Sequence, residues 1–307
     1  MIVPTACAAM FFSGCVRENP AGESIGAIDV ELGASGIAVG AGWVWVAEAQ
    51  GDETVSRIDP AKAEFVGTPT KLKGYVEELA GDDEGVWVLG RDTVTRVDSD
   101  GRVLGEPIDI GGGSIRIAAG DEAAWVANPK RAEVIRIDAQ SRQIRRIPLR
   151  ARPRSVAVGY GSVWIGGSDG RITRLDSKSG RVLGTTRLEG SVHELAVGAG
   201  FAWAVTSLAP VRLDPDTGEI VSVVEQNGDE TTSEENIVPG DVIDAGLGSL
   251  WGGGFRELTR IDADEGSVIG SIRIGTQEDA SIAGIAITPE TVWVLNPIDA
   301  EVERIEP

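Results

Sequence analysis

The stretch SVAVGYGSVWIGGSDGRITRLDSKSG (residues 155–180) decides the fold. It holds a small-residue run, a Gly-containing turn, an alternating strand around Trp164, a second turn, and a third strand ending in Arg174 and Asp176. The same order recurs in ELAGDDEGVWVLGRDTVTRVDSDG (residues 78–101) and in five further copies. One tryptophan falls at the same place in each: Trp45, Trp87, Trp125, Trp164, Trp203, Trp251 and Trp293, at spacings of 42, 38, 39, 39, 48 and 42 residues. Self-similarity at this period marks a supersecondary unit that buries its faces only against its neighbours.

Within each unit, alternating apolar and polar residues and β-branched enrichment read as strands. The turns between them are explicit, as at Asp98-Ser99-Asp100-Gly101 and Asp214-Pro215-Asp216-Thr217-Gly218. Asp bonds its own turn backbone there and Gly supplies a positive φ. No segment carries a sustained 3.6-residue apolar period, so helix is not expected. A fourth run follows each turn, for example Arg102 to Ile110. Four strands repeated seven times predict an all-β fold, a seven-bladed β-propeller of four-stranded antiparallel blades. The last unit stops at Pro307 after its third strand, while Ser24 to Val30 is an orphan run similar to Val103–Ile110 and Val268–Ile274. The N-terminal strand is therefore expected to complete the last blade and remove an exposed edge, giving one domain over 24–307.

Composition narrows the function. The chain has 307 residues, 48 acidic against 28 basic, and a formal net charge of −20. Such a field repels phosphate backbones and anionic lipid surfaces, so no nucleic acid is expected as a partner. One His and two Cys exclude Cys/His zinc sites. Both cysteines lie in MIVPTACAAMFFSGC (residues 1–15), too short to span a bilayer and suited to a signal peptide. Phe12-Ser13-Gly14-Cys15 resembles a bacterial lipobox, which makes Cys15 the lipidation candidate and residues 16–23 a tether. The expectation is an exported monomer in the bacterial cell envelope, at the membrane only through that anchor.

Two repeat families resemble these units. Val126 to Asp138 looks like the YVTN-type propeller repeat, and the GIAVG and VWV elements are similar to the repeats of virginiamycin B lyase-like proteins. The first resemblance implies an exported envelope propeller without catalysis. The second implies a Mg-dependent C–O lyase, with His and Glu in the central cavity, that opens a cyclic peptide lactone.

Residues identical in every unit are read as structural. The Trp ring fills the wedges between blades. The recurring Arg57, Arg96, Arg136, Arg174, Arg212, Arg260 and Arg304, each followed two residues on by an acid, are assigned to turn capping and inter-blade pairing. Function is sought where the units differ, at the entrance to each innermost strand. Ten residues before each Trp stand Ser35, Glu77, Ile115, Arg154, His193, Asp241 and Ala283; nine before stand Gly36, Glu78, Arg116, Ser155, Glu194, Val242 and Gly284. This register gathers Glu77, Glu78, Arg116, Arg154, His193, Glu194 and Asp241 at one channel mouth as ligand-binding candidates. Under the lyase reading His193 moves a proton, helped by Glu194 or by Mg held on Glu77 and Asp241. Otherwise the protein binds a protein partner or small ligand at this face without cofactor or catalysis; a purely structural envelope role is the third reading. The insertion at 225–241 is either an acidic lid or a solubilising loop. Arg142, Arg145, Arg146, Arg150, Arg152 and Arg154 form a basic stretch for an acidic partner or a carboxylate, or a solvated face.

Overall fold

The computed structural model describes residues 19–48, 53–224 and 242–307. Twenty-eight strands form seven four-stranded antiparallel sheets, and no helix occurs among the described residues. Blade 1 is β2 (Ala34–Gly40), β3 (Trp43–Glu48), β4 (Thr54–Asp59) and β5 (Glu64–Lys71). Blades 2 to 6 repeat this order with innermost strands β6 (Glu78–Asp82), β10 (Arg116–Gly120), β14 (Pro153–Gly159), β18 (Val192–Gly198) and β22 (Val242–Gly246). Blade 7 runs from β26 (Gly284–Ile287) through β27 (Val292–Asn296) and β28 (Glu301–Glu306) to β1 (Glu23–Asp29), which pairs antiparallel with β28. The ring closes as the orphan run predicts.

Asn19–Gly22, expected within the tether, is docked instead. Ala21 is fully buried among Trp251, Leu258 and Ile272, the Asn19 side-chain amide donates to the Ser271 carbonyl at 3.2 Å, and the Gly22 N–H donates to the Asn19 carbonyl at 2.9 Å. This turn takes the place that a covalent hairpin occupies between the third and fourth strands of other blades. The signal segment and Cys15 lie outside the described residues.

The core is seven apolar clusters, each shared by two neighbouring blades. All seven tryptophans of the ring are essentially inaccessible to solvent. The recurring arginines pack on them: Arg96 lies 4.7 Å from the Trp87 ring centre and Arg260 lies 5.0 Å from that of Trp251, whereas Arg212 stacks on Phe201 at 4.6 Å. Several then reach the next blade. Arg57 donates to the Ser99 carbonyl at 2.5 Å, Arg174 to that of Pro215 at 2.7 Å and Arg212 to that of Asp264 at 2.7 Å. The paired acids cap their own turns; Asp214 Oδ1 accepts from the N–H groups of Asp216 and Thr217 at 3.0 and 2.7 Å. Blades 1 and 2 approach so closely at their innermost strands that Gly81 admits no side chain: a Cβ there would sit 1.9 Å from the Val39 carbonyl oxygen of blade 1.

One outer strand is shorter than its sequence run. In blade 2 only Ile108–Asp109 (β9) pairs as a strand, with an isolated bridge between Val97 and Val103. Gly105 has φ of 72°, and Pro107 offers no N–H, so the run from Arg102 cannot stay extended and paired.

Candidate functional site

The innermost strands enclose a channel cavity of about 540 Å³. Six of the seven residues nine before Trp line it: Gly36, Glu78, Arg116, Glu194, Val242 and Gly284. Each pairs at the same register with the second strand of its blade, as Glu78 with Leu89 and Arg116 with Ala127, so common register carries them to a common height. Ser155 pairs at the equivalent position but is fully buried.

The residues ten before Trp divide. Ser35, Glu77 and Ala283 line the cavity; Ile115, Arg154 and His193 do not. The register of β14 shifts between Pro153 and Ser155, and that of β18 between Val192 and Glu194, leaving Arg154 and His193 as the extra residues. The same shift in β2 leaves Ser35 as the extra residue, and Ser35 does line the cavity, so the bulge alone does not decide the outcome. Arg154 is exposed, and His193 Nε2 lies 2.9 Å from Ser191 Oγ at the rim. Asp241 lies outside the described residues.

Three charged side chains meet across the cavity. Arg116 Nε donates to Glu194 Oε2 at 3.0 Å and lies 3.6 Å from Glu78 Oε1. Glu78 Oε2 accepts the Ile117 N–H of blade 3 at 2.6 Å. Burial pushes the Glu78 carboxyl up to about 8, outweighing the Arg116 charge that acts to lower it. Glu77 is raised as well, first by burial.

A fourth acid was missed by the register of entrance positions. Asp244 lines the same cavity from β22. Its Oδ1 accepts the Ala245 N–H at 2.8 Å, and burial lifts it to about 7, outweighing the Ala245 and Ile287 N–H groups that act to lower it. The signal was in the repeat: seven residues before Trp the chain has Ala38, Ala80, Ala118, Ala157, Ala196, Asp244 and Ala286. One aspartate stands in a ring of alanines.

The cavity thus offers two carboxyl groups able to change charge near neutral pH, one guanidinium and apolar walls such as Ile37, Leu79, Leu195 and Ile285. No His, Cys, Lys or Tyr is among the described residues that line it. The lyase reading puts Mg on Glu77 and Asp241; Glu77 lines the cavity and Asp241 lies outside the described residues. Arg116 occupies the space between Glu78 and Glu194, and no cluster of three or more His, Cys, Asp or Glu suited to a metal occurs among the described residues.

No family model matches the chain, and no curated protein matches it. Many solved structures do. One is a catalytically inactive histidine-to-alanine variant of virginiamycin B lyase from Staphylococcus aureus with quinupristin, at a TM-score of 0.73 over 92% of this chain and 98% of that one. Sequence identity is 18%. What the two share is the fold. The lyase-like likeness read from the repeats therefore holds for the seven-bladed architecture.

Proposed function

We propose that the protein is an exported, envelope-located propeller that binds a small amine or another donor-rich molecule in its central channel, without catalysis. The observation that carries this reading is the junction of Glu78, Arg116 and Glu194 from three different blades at one end of a 540 Å³ cavity. With Glu77 and Asp244 the lining holds four acids against one arginine, which favours ligands that donate hydrogen bonds or carry positive charge over anions. The apolar walls take the ligand's carbon skeleton.

The lyase alternative asks His193 to reach the ligand. Its ring sits on a bulge beside Ser191, outside the residues lining the cavity, and this favours binding over elimination. The test is a thermal-shift series with amines, amino sugars, carboxylates and cyclic peptide lactones on the wild-type chain and on Glu78→Gln/Asp244→Asn. A ligand bound to the native state raises the melting temperature by mass action. A shift with amines or amino sugars that the double variant loses is expected. A response confined to carboxylates overturns the reading. Turnover of a lactone that His193→Ala abolishes replaces it with the lyase.

A further inference from the structure

The charge of the chain is unevenly distributed. Residues 130–188 contain 14 of the 28 basic residues and only 4 of the 48 acids, a local net charge of +10 in a molecule of −20. These residues build the outer part of blade 3 and all four strands of blade 4. A cleft of about 500 Å³ lies between them, beneath the connection from β13 (Ile144–Pro148) to β14. Leu149, Ile165 and Val182 give it an apolar floor and wall; Arg150 and Arg171 stand at its margin.

Two features of this surface are costly in isolation. Arg171 and Arg187 are direct cross-strand neighbours on β16 (Arg171–Asp176) and β17 (Val182–Arg187), a like-charge pair that weakens a sheet. Arg171 has Asp169 as a partner, but Arg187 has none among the described residues. Nor do Arg150, Arg152 or Arg154, whose side chains make no hydrogen bond or ion pair with any described residue. Elsewhere acids are abundant, so this concentration of unpaired, exposed guanidinium groups around an apolar cleft is a surface matched to something acidic. The remainder of the chain carries the opposite charge and repels an extended polyanion such as a nucleic acid or an anionic bilayer. Within about one Debye length, ~8 Å at physiological salt, the local positive field dominates. A narrow footprint satisfies both fields.

We propose that the cleft between blades 3 and 4 docks a short, extended, acidic polypeptide segment of a partner protein, its carboxylates on Arg150, Arg152 and Arg187 and an apolar side chain in the cleft. Bidentate arginine–carboxylate pairs set the register, and the apolar insertion supplies the anchor. This site is independent of the channel and survives failure of the ligand reading above.

The probe is a fluorescein-labelled peptide alternating Glu and Leu, titrated with the protein at physiological salt and read by anisotropy. Saturable binding is expected, weakened about tenfold or more by Arg150→Glu/Arg187→Glu. The control pair Lys178→Glu/Arg181→Glu makes the same charge change on exposed sites outside the cleft and is expected to leave binding nearly unchanged. All four positions are exposed, so melting curves of both variants should match the wild type. Three results overturn the proposal: no saturable binding, equal weakening by the control pair, or equal affinity when Ser replaces every Leu. Full displacement by octanoate reassigns the cleft to small carboxylates, and preference for phosphatidylglycerol vesicles over the peptide reassigns it to a lipid surface.

Discussion

Glu78 Oε2, on the innermost strand of blade 2, accepts the Ile117 N–H on the innermost strand of blade 3 at 2.6 Å. The free inner edge of one blade is thereby tied to a side chain of its neighbour, while Asp244 of blade 6 accepts the Ala245 N–H and lies in the field of the Ile287 N–H of blade 7. Both acids hold backbone N–H groups and line the cavity at once, so their protonation couples stability to the state of the channel.

Stability should fall as pH rises through neutrality. Burial holds Glu78 at about 8 and Asp244 at about 7, against ordinary values of 4.5 and 3.8. The native chain keeps protons that the unfolded chain releases, so it binds more protons between those values. That dependence is at most about 1.4 kcal/mol per pH unit for each proton. Glu78→Gln keeps an acceptor for Ile117 and removes the titration. Urea midpoints across the neutral range should be flatter with pH in the variant and higher at alkaline pH; an unchanged slope would show that Glu78 is ionised throughout.

Asp244→Ala restores at blade 6 the residue that the other six blades carry. It removes a carboxylate from the channel wall and leaves the Ala245 N–H to water. At alkaline pH the expected result is a gain of about 1 kcal/mol, seen as a higher melting temperature. Acid conditions should shrink that gain, because there the wild-type carboxyl is already neutral. A loss of stability at all pH values would mean that the carboxyl group's backbone contacts outweigh desolvation.

Arg174 joins two blades through its guanidinium, which stacks on Trp164 and donates to Pro215 and Asp216 carbonyls of blade 5. Arg174→Lys keeps the charge but cannot span both carbonyls while stacking. The expected cost is about 1–3 kcal/mol in chemical denaturation, with Arg174→Ala at least as damaging. If Lys were tolerated without loss, charge alone would be sufficient at this position.

The fold was legible because one Trp per unit fixes both period and register, and register then gave the height of Glu78, Arg116 and Glu194. It failed at Arg154 and His193. Both sit at bulges, which leave no mark in a count backwards from Trp164 or Trp203, although Ser35 at the equivalent bulge of blade 1 does line the cavity. Asp244 was overlooked for a different reason: it lies inside a strand, where the repeats look uniform until compared residue by residue. Arg142 was expected in a basic stretch open to an acidic partner, a carboxylate or solvent, yet its guanidinium donates to the Leu104 and Glu106 carbonyls of blade 2, a contact that depends on how adjacent blades meet.

Acid should weaken the outer turns before the core. Asp138 is held at about 2, first by the Ser141 N–H and then by its hydroxyl, with Arg136 adding to the effect. A depressed carboxyl contributes stability that is complete above its unfolded value of 3.8 and lost as pH falls towards 2. Asp138→Ala should therefore lower the melting temperature at neutral pH, with the difference from wild type vanishing in strong acid. A difference that persists there would assign the loss to packing of the turn instead of its charge.

Ring closure rests on a strand supplied from the far end of the chain. β1 pairs with β28 from Glu23 opposite Glu306 to Asp29 opposite Glu301, Ile28 packs against the cluster of blades 7 and 1, and Ala21 is buried between blades 6 and 7. A chain beginning at Leu32 loses all three contacts and leaves β28 as an unpaired edge, a template for another chain. It should melt at lower temperature and elute from size-exclusion chromatography as oligomers. A synthetic peptide covering Asn19 to Val30, added in trans, should restore the monomer and raise the melting temperature with concentration, as a ligand of the native state does. If the shortened chain stays monomeric and melts like the full one, the closing strand is dispensable and blade 7 holds on three strands.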